Sequence, residues 1–166
     1  GQDQLPYSDG EPMESQRHIV QAAVLIESLA DEWAGRNDFF VGGNMFVYFS
    51  ELQTRRNDFR GPDVFVVLDT IRKERKSWVV WEEDGRMPNV IVELVSETTE
   101  HVDRGEKMRL YARVLRVPDY FLFDPATRQL DGYRLDLERG EYVRIEPDPR
   151  GDMPIGQMGL SLGLRS

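Results

Sequence analysis

The chain has no cysteine and only two histidines among its 166 residues. The first absence removes disulfides, thiolate zinc sites and cysteine nucleophiles together. The second leaves His18 and His101 far apart, in neither an HxH nor an HExxH pattern, so a histidine metal centre is not expected. Long apolar runs are also missing, and none approaches the roughly 18 to 20 residues that a membrane-spanning helix needs. The opening GQDQLPYSDGEPMES is acidic, unlike a basic-then-apolar signal peptide, so the expected location is cytoplasmic and no membrane partner is expected. There is no GxGxxG or GxxxxGK[ST] loop for a nucleotide and no G-x-S-x-G elbow for a serine nucleophile. Positive charge is scarce as well: 21 Lys and Arg face 30 Asp and Glu, a formal net charge of −9. That balance argues against a broad basic surface for nucleic acid. Two local groups remain, Arg72, Lys73, Arg75 and Lys76 around Glu74, and Arg55, Arg56 and Arg60, each more readily read as a solvated loop than as a patch for phosphate.

What is present is an ordinary globular balance, 40% hydrophobic and 31% charged, in a length that suits one core. The expectation is a single domain over 1–166, with 1–14 as a poorly ordered extension. Ile19, Ala22, Ala23, Ile26, Leu29, Ala30 and Trp33 recur at helical spacing over 15–34, with Ser15 as cap. FFVGGNMFVYFS (39–50) reads as a strand bent at Gly42 and Gly43. GPDVFVVLD (61–69), Trp78 to Trp81 and NVIVELVS (89–96) read as further strands, the last the most continuously apolar. DRGEKMRLYARVLR (103–116) predicts a helix capped by Asp103, with Met108, Tyr111, Ala112, Val114 and Leu115 inward. DYFLFDP (119–125) predicts the next strand, and strand, helix, strand in that order implies a parallel crossover. QLDGYRLD and EYVRIEP alternate like a solvent-facing hairpin turning at Arg139 and Gly140. The fold class is therefore α/β, a mixed sheet core flanked by helices with a C-terminal antiparallel hairpin.

Three residues stand out against this pattern. Glu93 lies inside VIVELV, where an ionised carboxylate is costly unless a cation, a metal or a donor meets it. A structural pair with Arg or Lys would satisfy it, and so would an edge position facing water. Asp63 stands at the mouth of the strand VFVVL, where it could share a hard divalent ion with a second strand-end carboxylate or simply make a Pro-Asp turn. Lys107 lies four residues before Tyr111, at the margin of the inward stripe, and either points at Glu93 or snorkels to solvent.

These residues, in this order, resemble the PD-(D/E)xK nuclease superfamily and, within it, the Uma-two family of restriction endonucleases. The matching text is GPDVFVV and then PNVIVELVSETTEHVDRGEKMRLYARVLRVPDYFLFDP, with Asp63, Glu93, Ser96, Asp103, Lys107, Tyr111, Tyr120 and Asp124 on the pattern. The resemblance implies a restriction-endonuclease-like fold and a metal-dependent endonuclease that hydrolyses DNA. It implies Asp63, Glu93 and Lys107 as the catalytic set, with Asp63, Glu93 and the main-chain carbonyl of Leu94 as ligands to Mg²⁺ or Mn²⁺. Ser96, Arg104 and Tyr111 are the implied substrate contacts, and a homodimer is a family-style expectation. In the commonest form of the superfamily the lysine lies two residues after the acidic ligand; Val95 is there in this chain, and the resemblance assigns the role to Lys107 on the following helix. The alternative is a catalytically silent nuclease-fold protein acting as a binding or homodimerisation module, favoured by the −9 charge and the missing strand lysine.

Overall fold

The structure, a computed structural model, describes residues 16–50 and 61–163, and side chains of the first helix from Gln21 onward. The expectations for residues 1–14, the Ser15 cap, the His18 side chain and the group Arg55, Arg56 and Arg60 lie outside the described residues. The chain divides into two compact units, Gly1–Pro88 and Asn89–Ser166.

The first unit contains helix α1 (Gln16–Glu32) and strands β1 (Phe39–Gly43), β2 (Val47–Tyr48), β3 (Val64–Leu68) and β4 (Trp78–Val79). Helix α1 packs on β1 and β3, which pair antiparallel with Phe39 opposite Leu68 and Gly43 opposite Val64. Ala22 and Trp33 are buried as the helical stripe predicts, but Ala23 is exposed. The long strand expected over 39–50 is interrupted at Asn44, whose φ of 47° leaves the extended region. Beyond it β2 pairs parallel with β4. After Val79 the chain does not continue as a strand but turns through a 3-10 helix at Val80–Glu82.

Aromatic packing organises this unit. Trp33 meets Phe39 edge-on at 5.0 Å, and Phe40 stacks on Trp78 at 5.4 Å. The Arg75 guanidinium lies 4.9 Å from the Phe40 ring centre and 4.8 Å from that of Trp78, and donates to both carboxylate oxygens of Glu83 at 2.8 and 3.1 Å. Its side chain is only 2% exposed. Within the basic run 72–76 Arg75 is therefore internal, whereas Arg72 stays exposed, lying over Phe39 and donating to the Arg36 carbonyl.

The second unit is a mixed four-stranded array of β5 (Val90–Leu94), β6 (Asp119–Asp124), β7 (Gln129–Asp136) and β8 (Glu141–Ile145), with β5 and β6 parallel and the later pairs antiparallel. All five β5 residues are buried, as its apolar run requires. The β5-to-β6 crossover carries two helices, α2 (Glu100–Arg104) and α3 (Glu106–Arg113), instead of the single helix expected from 103. The break is at Gly105, with φ −107° and ψ −97°. A Cβ there would lie 2.8 Å from the His101 carbonyl oxygen, so the close approach of the two turns needs glycine. The hairpin turns at Gly140, in the left-handed region at φ 67°. A short antiparallel pair that the sequence did not reveal follows, β9 (Met153–Ile155) and β10 (Leu160–Leu162). Met153 of β9 covers Gly132 of β7 so closely that a Cβ would lie 2.8 Å from its Cγ and 2.9 Å from the Phe121 ring.

Register fixes which residues share a face. Glu93 is opposite Leu122, and Leu122 is opposite Asp131, so the three form one row across β5, β6 and β7. Ile91, Tyr120 and Tyr133 form the neighbouring row on the same face. Val90, Val92, Leu94, Phe121 and Phe123 lie on the opposite face, all buried.

Candidate functional site

Strand β5 delivers Glu93 into a place that is 1% exposed. Helix α3 delivers the cation: Lys107 Nζ donates to Glu93 Oε2 at 2.7 Å. The same ammonium lies 3.1 Å from Oδ1 of Asp103, on the last turn of α2. The Lys107 side chain keeps 30% of its surface, so the group opens to solvent through the lysine while both carboxylates are almost wholly enclosed. Tyr120 holds this end of α2 on the sheet by donating to the Asp103 carbonyl at 2.8 Å. Tyr120 is gripped in turn by Tyr111, edge-on at 5.4 Å, and by Tyr142, stacked at 5.5 Å.

Two carboxylates share one lysine, and their electrostatics differ accordingly. Burial, and then the charge of Glu93, push the Asp103 carboxyl up to about 7, against the pull of Lys107. Burial works against the Lys107 charge, but Glu93 and Asp103 overcome it and raise its pKa above the ordinary lysine value. Lys107 is thus held as a cation at neutral pH. Asp103 Oδ1 is buried with the ion pair to Lys107 but without a hydrogen bond of acceptable geometry. Burial, followed by the nearby Glu93 charge, keeps the Tyr120 hydroxyl well above the ordinary tyrosine value, so it acts as a donor.

Other expected residues are distributed as follows. Ser96 closes β5 and exchanges hydrogen bonds with the Thr98 and Thr99 hydroxyls at 3.0 and 3.2 Å. Arg104 donates to Glu100 at 2.8 Å, to the Tyr133 hydroxyl at 2.9 Å, and to Asp131. Tyr111 is fully buried in the tyrosine cluster. The Leu94 side chain is buried at the end of β5. Asp63 belongs to the first unit, half-buried just ahead of β3, where its carbonyl accepts from the Asn44 N–H at 2.9 Å. Among the described residues, no three Asp, Glu or His side chains come together as a metal nest.

Two residues carry more than the sequence reading gave them. Asp103 was expected to cap the helix; α2 starts three residues earlier, and Asp103 faces Lys107 from its last turn. Its i, i+4 spacing to Lys107 was the available signal. Asp131, on a strand read as solvent-facing, is 2% exposed and takes charge-assisted bonds from both Arg104 and Arg144.

Comparison with known proteins bears on the family and the fold. A family model described as Uma2, "Putative restriction endonuclease", matches residues 2–165. The chain belongs to the Uma2 family. An uncharacterized protein from Synechocystis sp. (slr1290) is 25% identical over 126 residues, which are 74% of this chain and 63% of that protein. A crystal structure from Anabaena variabilis, titled a putative nuclease belonging to DUF820, aligns with a TM-score of 0.59 at 15% identity, covering 93% of this chain and 85% of that one. That likeness shows the fold, and the α/β, restriction-endonuclease-like class expected from the sequence is borne out. No helix among the described residues is long and apolar enough to cross a membrane.

Proposed function

We propose that this Uma2-family chain is a cytoplasmic, divalent-metal-dependent endonuclease that hydrolyses phosphodiester bonds of DNA, with Glu93 and Lys107 at the centre of its site. The observation that carries the reading is the clasp of Lys107 between two buried carboxylates, 2.7 Å from Glu93 and 3.1 Å from Asp103. A cluster with one more acid than base, enclosed except on the lysine side, suits a second cation and an anionic substrate better than it suits a purely structural pair.

The donor set consists of oxygens, the kind that Mg²⁺ or Mn²⁺ prefers, and Asp103 Oδ1 supplies a buried acceptor without a hydrogen bond. Glu93 would hold the ion, joined by the Leu94 carbonyl and by Asp63, whose part rests on the family sequence pattern. When bound, the ion would polarise the attacking water and neutralise charge building on phosphorus. Lys107, kept charged by its two carboxylates, stabilises the pentacoordinate transition state and orients the phosphate rather than accepting a proton. Tyr120 and the tyrosines around it hold α2 so that Asp103 stays against Lys107. Ser96 and Arg104 are proposed to meet the substrate. Tyr111, fully enclosed, is proposed to act by packing behind Tyr120.

The test is incubation of the full chain with single- and double-stranded DNA and RNA in Mg²⁺ or Mn²⁺, beside Glu93→Ala and Lys107→Ala of verified fold. Metal-dependent DNA cleavage lost in both variants is expected. Cleavage indifferent to both substitutions would remove the site, and no cleavage in any metal would favour a catalytically silent binding or homodimerisation module.

A further inference from the structure

The Glu93 row of the sheet ends in a second polar cluster. Asp131 lies two strands from Glu93 on the same face, roughly 10 Å away at ordinary strand spacing. Its side chain is 3% exposed, so its charge must be met inside the protein. Arg104 and Gln129 do this: Arg104 donates to Oδ2, and Gln129 Nε2 lies 3.2 Å from the same oxygen. Arg144 then adds a second arginine, donating from Nη2 to Oδ1 at 2.7 Å.

The two arginines are not equivalent. Arg104 spends Nε, Nη1 and Nη2 on Glu100, Tyr133 and Asp131 and is 28% exposed. Arg144 is 61% exposed, and its single hydrogen bond among the described residues leaves Nε and Nη1 to solvent. Arg104 is shared between Glu100 and Asp131, so Arg144 completes the charge balance of the cluster. What Asp131 gives Arg144 is position: it fixes one edge of an exposed guanidinium on a strand, facing the same way as Glu93, with the remaining N–H groups available. That arrangement is preorganised for a phosphate, which a guanidinium binds through paired N–H donors. Arg104 couples the clusters, being the residue after Asp103 on α2.

We propose that Arg144, held by Asp131, binds a non-bridging oxygen of a DNA backbone phosphate next to the one cut at Glu93 and Lys107, so positioning the strand across the sheet. This rests on the nuclease reading and adds a subsite to it. It also accounts for how a chain of net charge −9 could engage a polyanion, through a few fixed cations near the site instead of a broad basic face.

The experiment measures the salt dependence of duplex DNA affinity by fluorescence anisotropy in the full chain carrying Glu93→Gln, which slows cleavage, with and without Arg144→Ala or Arg144→Gln. Loss of one phosphate contact predicts weaker binding to all sequences and a log–log salt slope shallower by about 0.9. Arg144→Lys, which keeps the charge, should restore most of the slope. Unchanged melting temperatures would show that the effect is not structural. A slope unaffected by Arg144→Ala and Arg144→Gln would overturn the proposal, as would absence of any DNA binding. Cleavage by the chain with native Glu93 and Arg144 is read separately: cleavage with an unchanged slope leaves the nuclease reading standing without this subsite, whereas a reduced slope without cleavage leaves a DNA contact and removes the nuclease reading.

Discussion

Each unit of the chain encloses an ion pair, and the two are built on opposite terms. In the first, Arg75 meets Glu83 through two parallel hydrogen bonds and fills the space beside Phe40 and Trp78, leaving 2% and 9% of the two side chains exposed. One cation meets one anion, and neither is left over. In the second, Lys107 serves Glu93 and Asp103 at once and Asp103 is driven up to about 7. The contrast separates two kinds of buried charge: a closed, balanced pair suits a core, and an unbalanced one that opens through its cation is the kind the proposed function requires.

The sharpest way to break the comparison is to remove each cation. Lys107→Ala should lower DNA cleavage per folded molecule by about two to three orders of magnitude, the scale of losing a charge that stabilises the transition state, and should also cost stability by stranding Glu93, so the folded fraction is read by circular dichroism. Arg75→Ala should act on stability alone, costing about 3–5 kcal/mol in denaturant titration by stranding Glu83, with cleavage per folded molecule unchanged. Gly132→Ala is the next largest effect. It forces Met153 and Phe121 apart and should cost about 1–3 kcal/mol, read as a lower denaturation midpoint.

The smallest effect sharpens the comparison through pH. Because the folded state raises the Asp103 carboxyl from 3.8 to about 7, the folded chain holds that proton more tightly than the unfolded one. Its contribution to stability is therefore greatest below 3.8 and declines as pH rises towards about 7. Lys107, raised in the fold, contributes below its ordinary value of 10.5 and loses that contribution only in strong base. Melting temperature without metal should thus carry a decline between mildly acidic and neutral pH that Asp103→Asn removes; an identical profile in the variant would show that burial and Glu93 do not raise the Asp103 carboxyl.

Much of the second unit could be read from the sequence because its signals are local. A carboxylate in VIVELV demands a partner, a lysine on the edge of an apolar stripe can supply it, and the parallel crossover brings them together. The parts that escaped depend on distance in the chain or on one backbone bend. Gly105 splits the helix and turns Asp103 from a cap into a member of the site. Asp131 looked solvent-facing because alternation along β7 does not tell that its row continues through Leu122 to Glu93. Arg75 looked like surface charge because nothing near it in sequence announces Phe40, 35 positions earlier, as the ring it lies against.

The most direct test of the unbalanced site is single-turnover cleavage of DNA in Mn²⁺ by Glu93→Gln, which keeps the shape of the side chain and removes its charge. The account predicts a loss of about a hundredfold or more at full folding, with Mn²⁺ affinity measured by calorimetry weakened in parallel. Cleavage within about twofold of the native rate, at unchanged Mn²⁺ affinity, would contradict it.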